Sequence, residues 1–314
     1  MASKEAEVIT DIAAMRNWSR SSKYQQQSPT PKTLALVPTM GFLHAGHLSL
    51  VRRARSLADL VAVSIYVNPG QFSPTEDLST YPSDLAGDLR KLADAGGVDA
   101  VFCPRNLYDY GGGGGKVRRV DGGGEERGAV SCVEGEHETW IRVEGLEKGL
   151  CGRSRPVFFR GVATVVAKLF NIVEPDFALF GKKDYQQWRV ICRMVRDLNF
   201  SVEIIGSEIV REVDGLAMSS RNVHLSPEER EKALSINKSL SKAKFAAENG
   251  QETCQRMKLL IIQSITEAGG RIDYAEIVEQ ETLKPVEVIT SPVVICVAAW
   301  FGNVRLIDNM EINI

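Results

Sequence analysis

Residues 33–48 read TLALVPTMGFLHAGHL, an apolar run that gives way to a loop and then to the start of a helical pattern. Thr33 to Val37 is short, apolar and bounded by turn residues, which marks a buried strand. Pro38 to Gly46 is expected as the loop. Beyond it Leu48, Val51, Leu57 and Leu60 recur at roughly helical spacing before a second apolar run, Val61 to Val67. A strand, loop, helix and strand in succession imply a parallel sheet with helices on its faces, and such sheets bind ligands at the carboxyl ends of their strands. The His44-Ala45-Gly46-His47 segment falls at that end.

The logic repeats further along. Phe177 to Phe180 is expected as a strand, Gly181 to Asp184 as a loop, Tyr185 to Leu198 as a helix and Val202 to Ile205 as the next strand. Both loops should therefore open on one crevice. Between the units, residues 111–128 read GGGGGKVRRVDGGGEERG, half of them glycine, and are expected as a mobile surface insertion. This is no phosphate-binding P-loop: Tyr110 stands where the first glycine belongs, and Val117 replaces the hydroxyl after Gly115-Lys116. After Asp214-Gly215 the pattern changes. Ser226, Pro227 and Glu229 supply a cap, a first-position proline and a capping-box glutamate for a helix running toward Gly250. A second helix ends at Gly269-Gly270, and strands follow at Asp273 to Val278, Val293 to Ala299 and Val304 to Ile307. The expected architecture is α/β: a Rossmann-like domain over 1–210 and a small C-terminal α+β lid domain over 211–314.

Composition narrows the function classes. The 38 basic and 40 acidic residues of this 314-residue chain give a net charge of -2, without the broad positive field that grips nucleic-acid backbones. No apolar run approaches the ~20 residues needed to cross a bilayer. Glu5, Glu7 and Asp11 stand where a targeting segment would be apolar or arginine-rich. The six scattered cysteines contain no Cys-x-x-Cys pair and are expected as free thiols, in keeping with a cytoplasmic protein. Small ligands are the expected partners, with no nucleic acid and no membrane.

Three loops carry candidate chemistry. His44 and His47 are three residues apart at a helix entry, where backbone N–H groups already favour an anion and Gly46 allows close approach. The same pair could be ordinary surface or packed histidines, and a zinc site lacks a third ligand nearby. Lys182 and Lys183 could neutralise a triphosphate, with Asp184 holding a ribose hydroxyl or hydrated Mg²⁺, or serving only as an N-cap. Met218-Ser219-Ser220-Arg221 lies at the domain boundary, where it could close over a nucleotide or form a simple turn. The expected fold would bring all three to one cleft.

Pro38-Thr39-Met40-Gly41 with HAGH, Val67-Asn68-Pro69-Gly70-Gln71-Phe72, Tyr81-Pro82, Lys183-Asp184-Tyr185-Gln186-Gln187 and MSSR-Asn222, in this order, closely resemble the pantothenate synthetase (pantoate–β-alanine ligase) family. The HxGH element alone is shared with the wider nucleotidyltransferase superfamily. The resemblance spans the chain apart from the glycine-rich stretch and the extreme N-terminus. It implies that pantoate is activated by ATP as pantoyl-adenylate, releasing pyrophosphate, and that the β-alanine amine then displaces AMP to give pantothenate. Mg²⁺ should accompany ATP, with ligands left open. The ATP site it implies comprises Met40, Gly41, Phe42, Leu43, His44, Ala45, Gly46, His47, Gly181, Lys182, Lys183, Asp184, Val210, Met218, Ser219, Ser220 and Arg221. His47 falls at the position usually assigned as proton donor, and His44, Lys183 and Arg221 join it in stabilising charge on the phosphates. Gln71 and Gln187 match the glutamines that hold pantoate, and Gln71 also lies where β-alanine binds. A homodimer through the larger domain is implied as well. One departure stands out: in Arg155-Pro156-Val157-Phe158-Phe159-Arg160-Gly161, Phe158 occupies a position where many members have histidine, so Phe158 is left out of the expected site.

Two other functions fit parts of the pattern. A cytidylyltransferase would release pyrophosphate from CTP without an acid, and a nucleotide- or RNA-binding protein without turnover would bind ATP but form no adenylate.

Overall fold

The computed structural model describes residues 5–24, 30–109, 131–133, 137–250 and 253–313, so the glycine-rich stretch 111–128 lies outside the described residues. A short strand β1 (Glu7–Ile9) leads to helix α1 (Ile12–Lys23), capped by the Asp11 carboxylate. Then come β2 (Leu34–Thr39), α2 (Ala45–Leu57), β3 (Leu60–Ile65), α3 (Leu85–Ala95) and β4 (Ala100–Phe102). After α4 (Leu150–Ser154) and α5 (Phe158–Val173), the pattern resumes with β5 (Phe177–Gly181), α6 (Tyr185–Asp197) and β6 (Glu203–Ser207).

These six strands form one parallel sheet in the order β1-β4-β3-β2-β5-β6. From β2 the chain winds outward through β3 to β4, whereas β5 continues on the other side to β6. The reversal lies between β2 and β5, so a crevice opens beyond their carboxyl ends, where Met40 and Lys182 follow the strands. Successive side chains of β2 serve opposite faces. Leu34 and Leu36 join the core with Met15 of α1, Ile191 of α6 and most of α5. Ala35 and Val37 pack with Val51 and Ala54 of α2 and Leu92 of α3. Burying each large apolar side chain contributes roughly 1.5–3 kcal/mol, which fixes the register of a strand covered on both sides.

The C-terminal region has its own sheet. Helix α7 (Pro227–Glu248) begins with the expected capping box, Ser226 and Glu229 each accepting the other's backbone N–H at 3.2 and 2.8 Å. Helix α8 (Cys254–Glu267) follows, then β7 (Arg271–Glu279), β8 (Val293–Phe301) and β9 (Val304–Ile312), an antiparallel sheet in that order. One sheet face buries Ile277, Ile295 and Val297 against Ile236, Leu240 and Ile261 of the two helices. The other face contributes Tyr274, Val294, Cys296 and Ala298 to the core of the parallel-sheet region. The two sheets therefore share a packed seam. All six cysteines are free, and among the described residues no helix is long and apolar enough to cross a membrane.

Candidate active site

A cavity of about 920 Å³ lies over the reversal of strand order and extends to the C-terminal sheet. It begins at a strained turn. Gly41 and Phe42 have φ of 84° and 50°, a left-handed conformation that costs a non-glycine residue energy. The buried Asp88 carboxylate of α3 holds that turn by accepting the N–H groups of Phe42 and Leu43, each at 2.7 Å. The chain then enters α2 in fixed geometry.

His44 and His47 cap α2 themselves. His44 Nδ1 accepts the N–H of Gly46 at 3.1 Å, and His47 Nδ1 accepts the N–H of His44 at 3.3 Å. Because each Nδ1 is an acceptor, each neutral ring carries its proton on Nε2. Burial, then the charge of Lys183, lowers the His44 pKa to about 4. Burial, then His44 and Lys183, lowers that of His47 to about 3. The pair, with ring centroids 4.1 Å apart, thus enters the cavity as two neutral N–H donors beside a helix N-terminus.

The second loop separates its two lysines. Lys182 turns aside, its ammonium bound by Glu208 at 2.6 Å and Glu311 at 2.8 Å, and it does not line the cavity. Lys183 does line it and has no ion pair among the described residues. Asp184 also faces the cavity and makes no side-chain cap bond to α6, so it is no mere N-cap. Of the two adjacent lysines, Lys183 alone lines the cavity, because Glu208 after β6 and Glu311 of β9 hold the Lys182 ammonium.

The two glutamines at 186 and 187 also divide. Gln186 is buried and fully engaged: it accepts from Cys151 N at 2.9 Å and donates to the carbonyls of Leu146 and Gly149 at 2.8 Å each. Gln187 lines the cavity with no hydrogen bond among the described residues. Across from it Gln71 Oε1 accepts from Asn68 Nδ2 at 3.0 Å, which leaves the Gln71 amide N–H groups to Met40 sulfur, 3.3 Å away, and to the cavity. Asn68 is held in turn by Gly161 O, Gly70 N and the Tyr108 hydroxyl. That close approach depends on Gly161, since a Cβ there would lie 2.1 Å from Gly70 O.

The third loop closes the mouth. Arg221 binds Asp77 through Nε at 3.1 Å and a terminal nitrogen at 3.3 Å, and the Ser220 and Tyr81 hydroxyls are 3.2 Å apart. Burial acts to raise the Asp77 pKa, but the hydrogen bonds and charge of Arg221 outweigh it and hold the carboxyl below its ordinary value. Nearby, Arg155 pairs with Glu76 and lays its guanidinium 3.9 Å from the centre of the Phe158 ring. Phe158, set aside at first, does line the cavity: the aromatic face receives a cation where an imidazole would have offered a hydrogen bond.

Met40, His44, Gly46, His47, Gln71, Gly181, Lys183, Asp184, Gln187, Val210 and the Met218 to Arg221 segment thus converge on one cavity. Gly41, Phe42, Leu43, Ala45 and Lys182 lie beside it without forming its wall. Asp77, Asp88 and Asn309 were missed from sequence, because their partners lie tens of residues or more away and no local pattern marks them, and Arg155, though it opens a quoted motif, was given no role. No cluster of three or more metal-binding side chains occurs among the described residues.

Residues 7–311 match the family model described as Pantoate-beta-alanine ligase. The chain is 68% identical to the pantoate–beta-alanine ligase of Lotus japonicus, over 98% of this chain and 99% of that one. It is 66% identical to the enzyme so named from Arabidopsis thaliana, over 99% of each. Among solved structures, the pantothenate synthetase of Thermus thermophilus superposes with a TM-score of 0.83 at 38% identity, over 98% of this chain and 100% of that one. The pantoate–beta-alanine ligase of Francisella tularensis, solved with beta-gamma ATP and beta-alanine, gives 0.72 at 30% identity over 97% of each.

Proposed function

The chain belongs to the pantoate–beta-alanine ligase family, and on that premise we propose that it condenses pantoate with β-alanine at the expense of ATP. The carboxylate of pantoate attacks the α-phosphorus, pyrophosphate leaves, and the β-alanine amine then displaces AMP from pantoyl-adenylate. One observation carries the assignment of the site. The two imidazole donors, the Lys183 ammonium and the amides of Gln71 and Gln187 all open on a single cavity at the point where strand order reverses.

In this reading the Nε2–H groups of His44 and His47 and the Lys183 ammonium meet the phosphates, where charge builds during displacement. A triphosphate set against the two rings brings the negative charge that favours their protonated form, which suits His47 to a proton donor's role in the complex. Arg221 adds its charge once it leaves Asp77. Asp184 holds ribose, and Gly181, Val210 and the Met218 to Ser220 backbone frame the nucleotide. Gln71 and Gln187 read the hydroxyls of pantoate, for which amides that both donate and accept are suited, and Gln71 also meets β-alanine. Mg²⁺ enters as part of a magnesium–ATP substrate, held mainly by phosphates and water, since it needs no more than one or two protein carboxylates, of which Asp184 is at hand. Residues 1–210 then form the nucleotide- and pantoate-binding domain and 211–314 the lid. We place the protein in the cytoplasm as a homodimer, on the free thiols and the family premise.

The test is product formation. Pyrophosphate should appear with ATP and pantoate, and AMP on addition of β-alanine. His47→Ala and Gln187→Ala should suppress both. No AMP from the purified protein with all substrates would refute the proposal.

A further inference from the structure

Asn309 belongs to the antiparallel sheet, yet its side chain serves the loop at the end of the parallel one. Its amide Nδ2 donates to the carbonyl oxygens of Lys182 at 2.8 Å and Lys183 at 2.9 Å. Those carbonyls lie in a single turn of 3-10 helix, Lys182–Asp184, which has no side-chain cap of its own. Asn309 is 4% exposed and borders the cavity. Its own backbone is tied down: its N–H donates to Asp308 Oδ1 at 2.8 Å, and the Asp308 carboxylate is gripped by both terminal nitrogens of Arg211 at 2.7 and 2.9 Å. Two residues on, Glu311 accepts from Lys182 Nζ and from the Tyr185 hydroxyl at 3.0 Å.

Successive side chains of a 3-10 turn point about 120° apart. A modest rotation of the Lys182–Asp184 turn would therefore exchange which residue faces the cavity. Glu311 holds Lys182 only by its flexible side chain, whereas Asn309 holds the backbone itself at two consecutive carbonyls. We propose that Asn309 is a positioning residue for the reaction. By fixing that turn across the seam between the sheets, it presents Lys183 and Asp184 to ATP and keeps Lys182 turned away. The inference rests on the reading of this turn as part of the ATP site.

Asn309→Asp tests it. A carboxylate in the same place cannot donate and faces two carbonyl oxygens, and burial with such neighbours raises its pKa. When protonated it regains one O–H donor. At about pH 8 the variant should show an ATP KM raised about tenfold, the order of effect expected from unpairing a buried acceptor, with the β-alanine KM nearly unchanged. The defect should shrink as pH falls toward about 6, relative to the parent measured at each pH. An ATP KM equal to the parent's throughout would overturn the proposal. So would a defect that ignores pH and falls equally on β-alanine. If Asn309→Asp does not fold, Asn309→Ser, a neutral donor of shorter reach, reads the same quantity: a raised ATP KM supports the proposal and an unchanged one overturns it. Failure of both to fold would make the residue purely architectural and also overturn it. Lys183→Ala, run alongside, separates the two readings. If it leaves ATP kinetics intact, the assignment of the turn to ATP fails. If it cripples them while Asn309→Asp resembles the parent, only the role of Asn309 is lost.

Discussion

His44 and His47 each commit one ring nitrogen to the helix they begin, which fixes the nitrogen offered to a ligand. Removing His47 is expected to lower kcat by ~10²–10³, the usual cost of losing a donor to developing phosphate charge, and steady-state kinetics of His47→Ala would check it. His44→Asn keeps an acceptor at the cap, so it should fold with near-parent stability while losing activity. Their lowered pKa values carry a second expectation. Both rings are neutral in the folded protein at neutral pH, whereas in the unfolded chain they take up protons below about pH 6.5. The unfolded state therefore binds more protons in that window, and stability should fall with pH from there toward the folded values of about 4 for His44 and about 3 for His47. Thermal melting between about pH 7 and 5 should show this slope, and His44→Asn should flatten it. Ring nitrogen shifts typical of imidazolium in the free protein at neutral pH would contradict the tautomer assignment. At this scale the HAGH pair, Lys183, Gln71 and Gln187 were legible because their motifs are contiguous. Asp88 and Asn309 were not, since each acts on backbone groups brought near only by the fold.

Elements were legible in proportion to their one-sidedness. The strands β2 and β5 and the capped helix α7 announce themselves by apolar runs and by Ser226 and Glu229. Helix α5 offers only a narrow polar stripe of Arg160, Lys168 and Asn171, because the other residues of Phe158 to Val173 are buried. The strands β1 and β4 are three residues each, too short for any alternation to register. The contact of α5 with the Pro69–Gln71 turn gives a sharp test. A Cβ at Gly161 would lie 2.4 Å from Gln71 N as well as against Gly70. Gly161→Ala should then cost ~1–3 kcal/mol in stability by overpacking. It should also raise the KM for pantoate more than that for ATP, as denaturant titration and kinetics would report. The mouth offers another. Asp77 and Arg221 are partly exposed, and pairs of that kind contribute up to about 1 kcal/mol. Asp77→Asn should therefore lower the ATP KM by at most about fivefold, by releasing Arg221, and leave melting nearly unchanged. A higher KM would mean that the ion pair assists binding instead.

For the molecule as a whole, the two sheets are joined unequally around the cavity. At one end β9 is bonded to the Lys182–Asp184 turn by Asn309 and Glu311. Cys151 and Ser154 of α4 add bonds to Tyr274 and Asp273 of β7. At the other end the Asp77–Arg221 and Tyr81–Ser220 contacts span the mouth. Admission of ATP should part the second set while the first stays as a pivot, the lid then excluding water from the adenylate. Small-angle scattering profiles with and without a tight adenylate analogue are expected to differ, and identical profiles would count against a moving lid. The same asymmetry bears on how the enzyme comes into being. Chains fold from the N-terminal side as they leave the ribosome. The parallel sheet is complete in sequence at Ser207, well before Asn309 has been added. A nascent chain can thus carry the histidines and Lys183 on a finished sheet without the strand that orients the turn bearing Lys183. The ability to activate pantoate would then arrive only with the last stretch of synthesis, and chains cut short before β9 would remain inert.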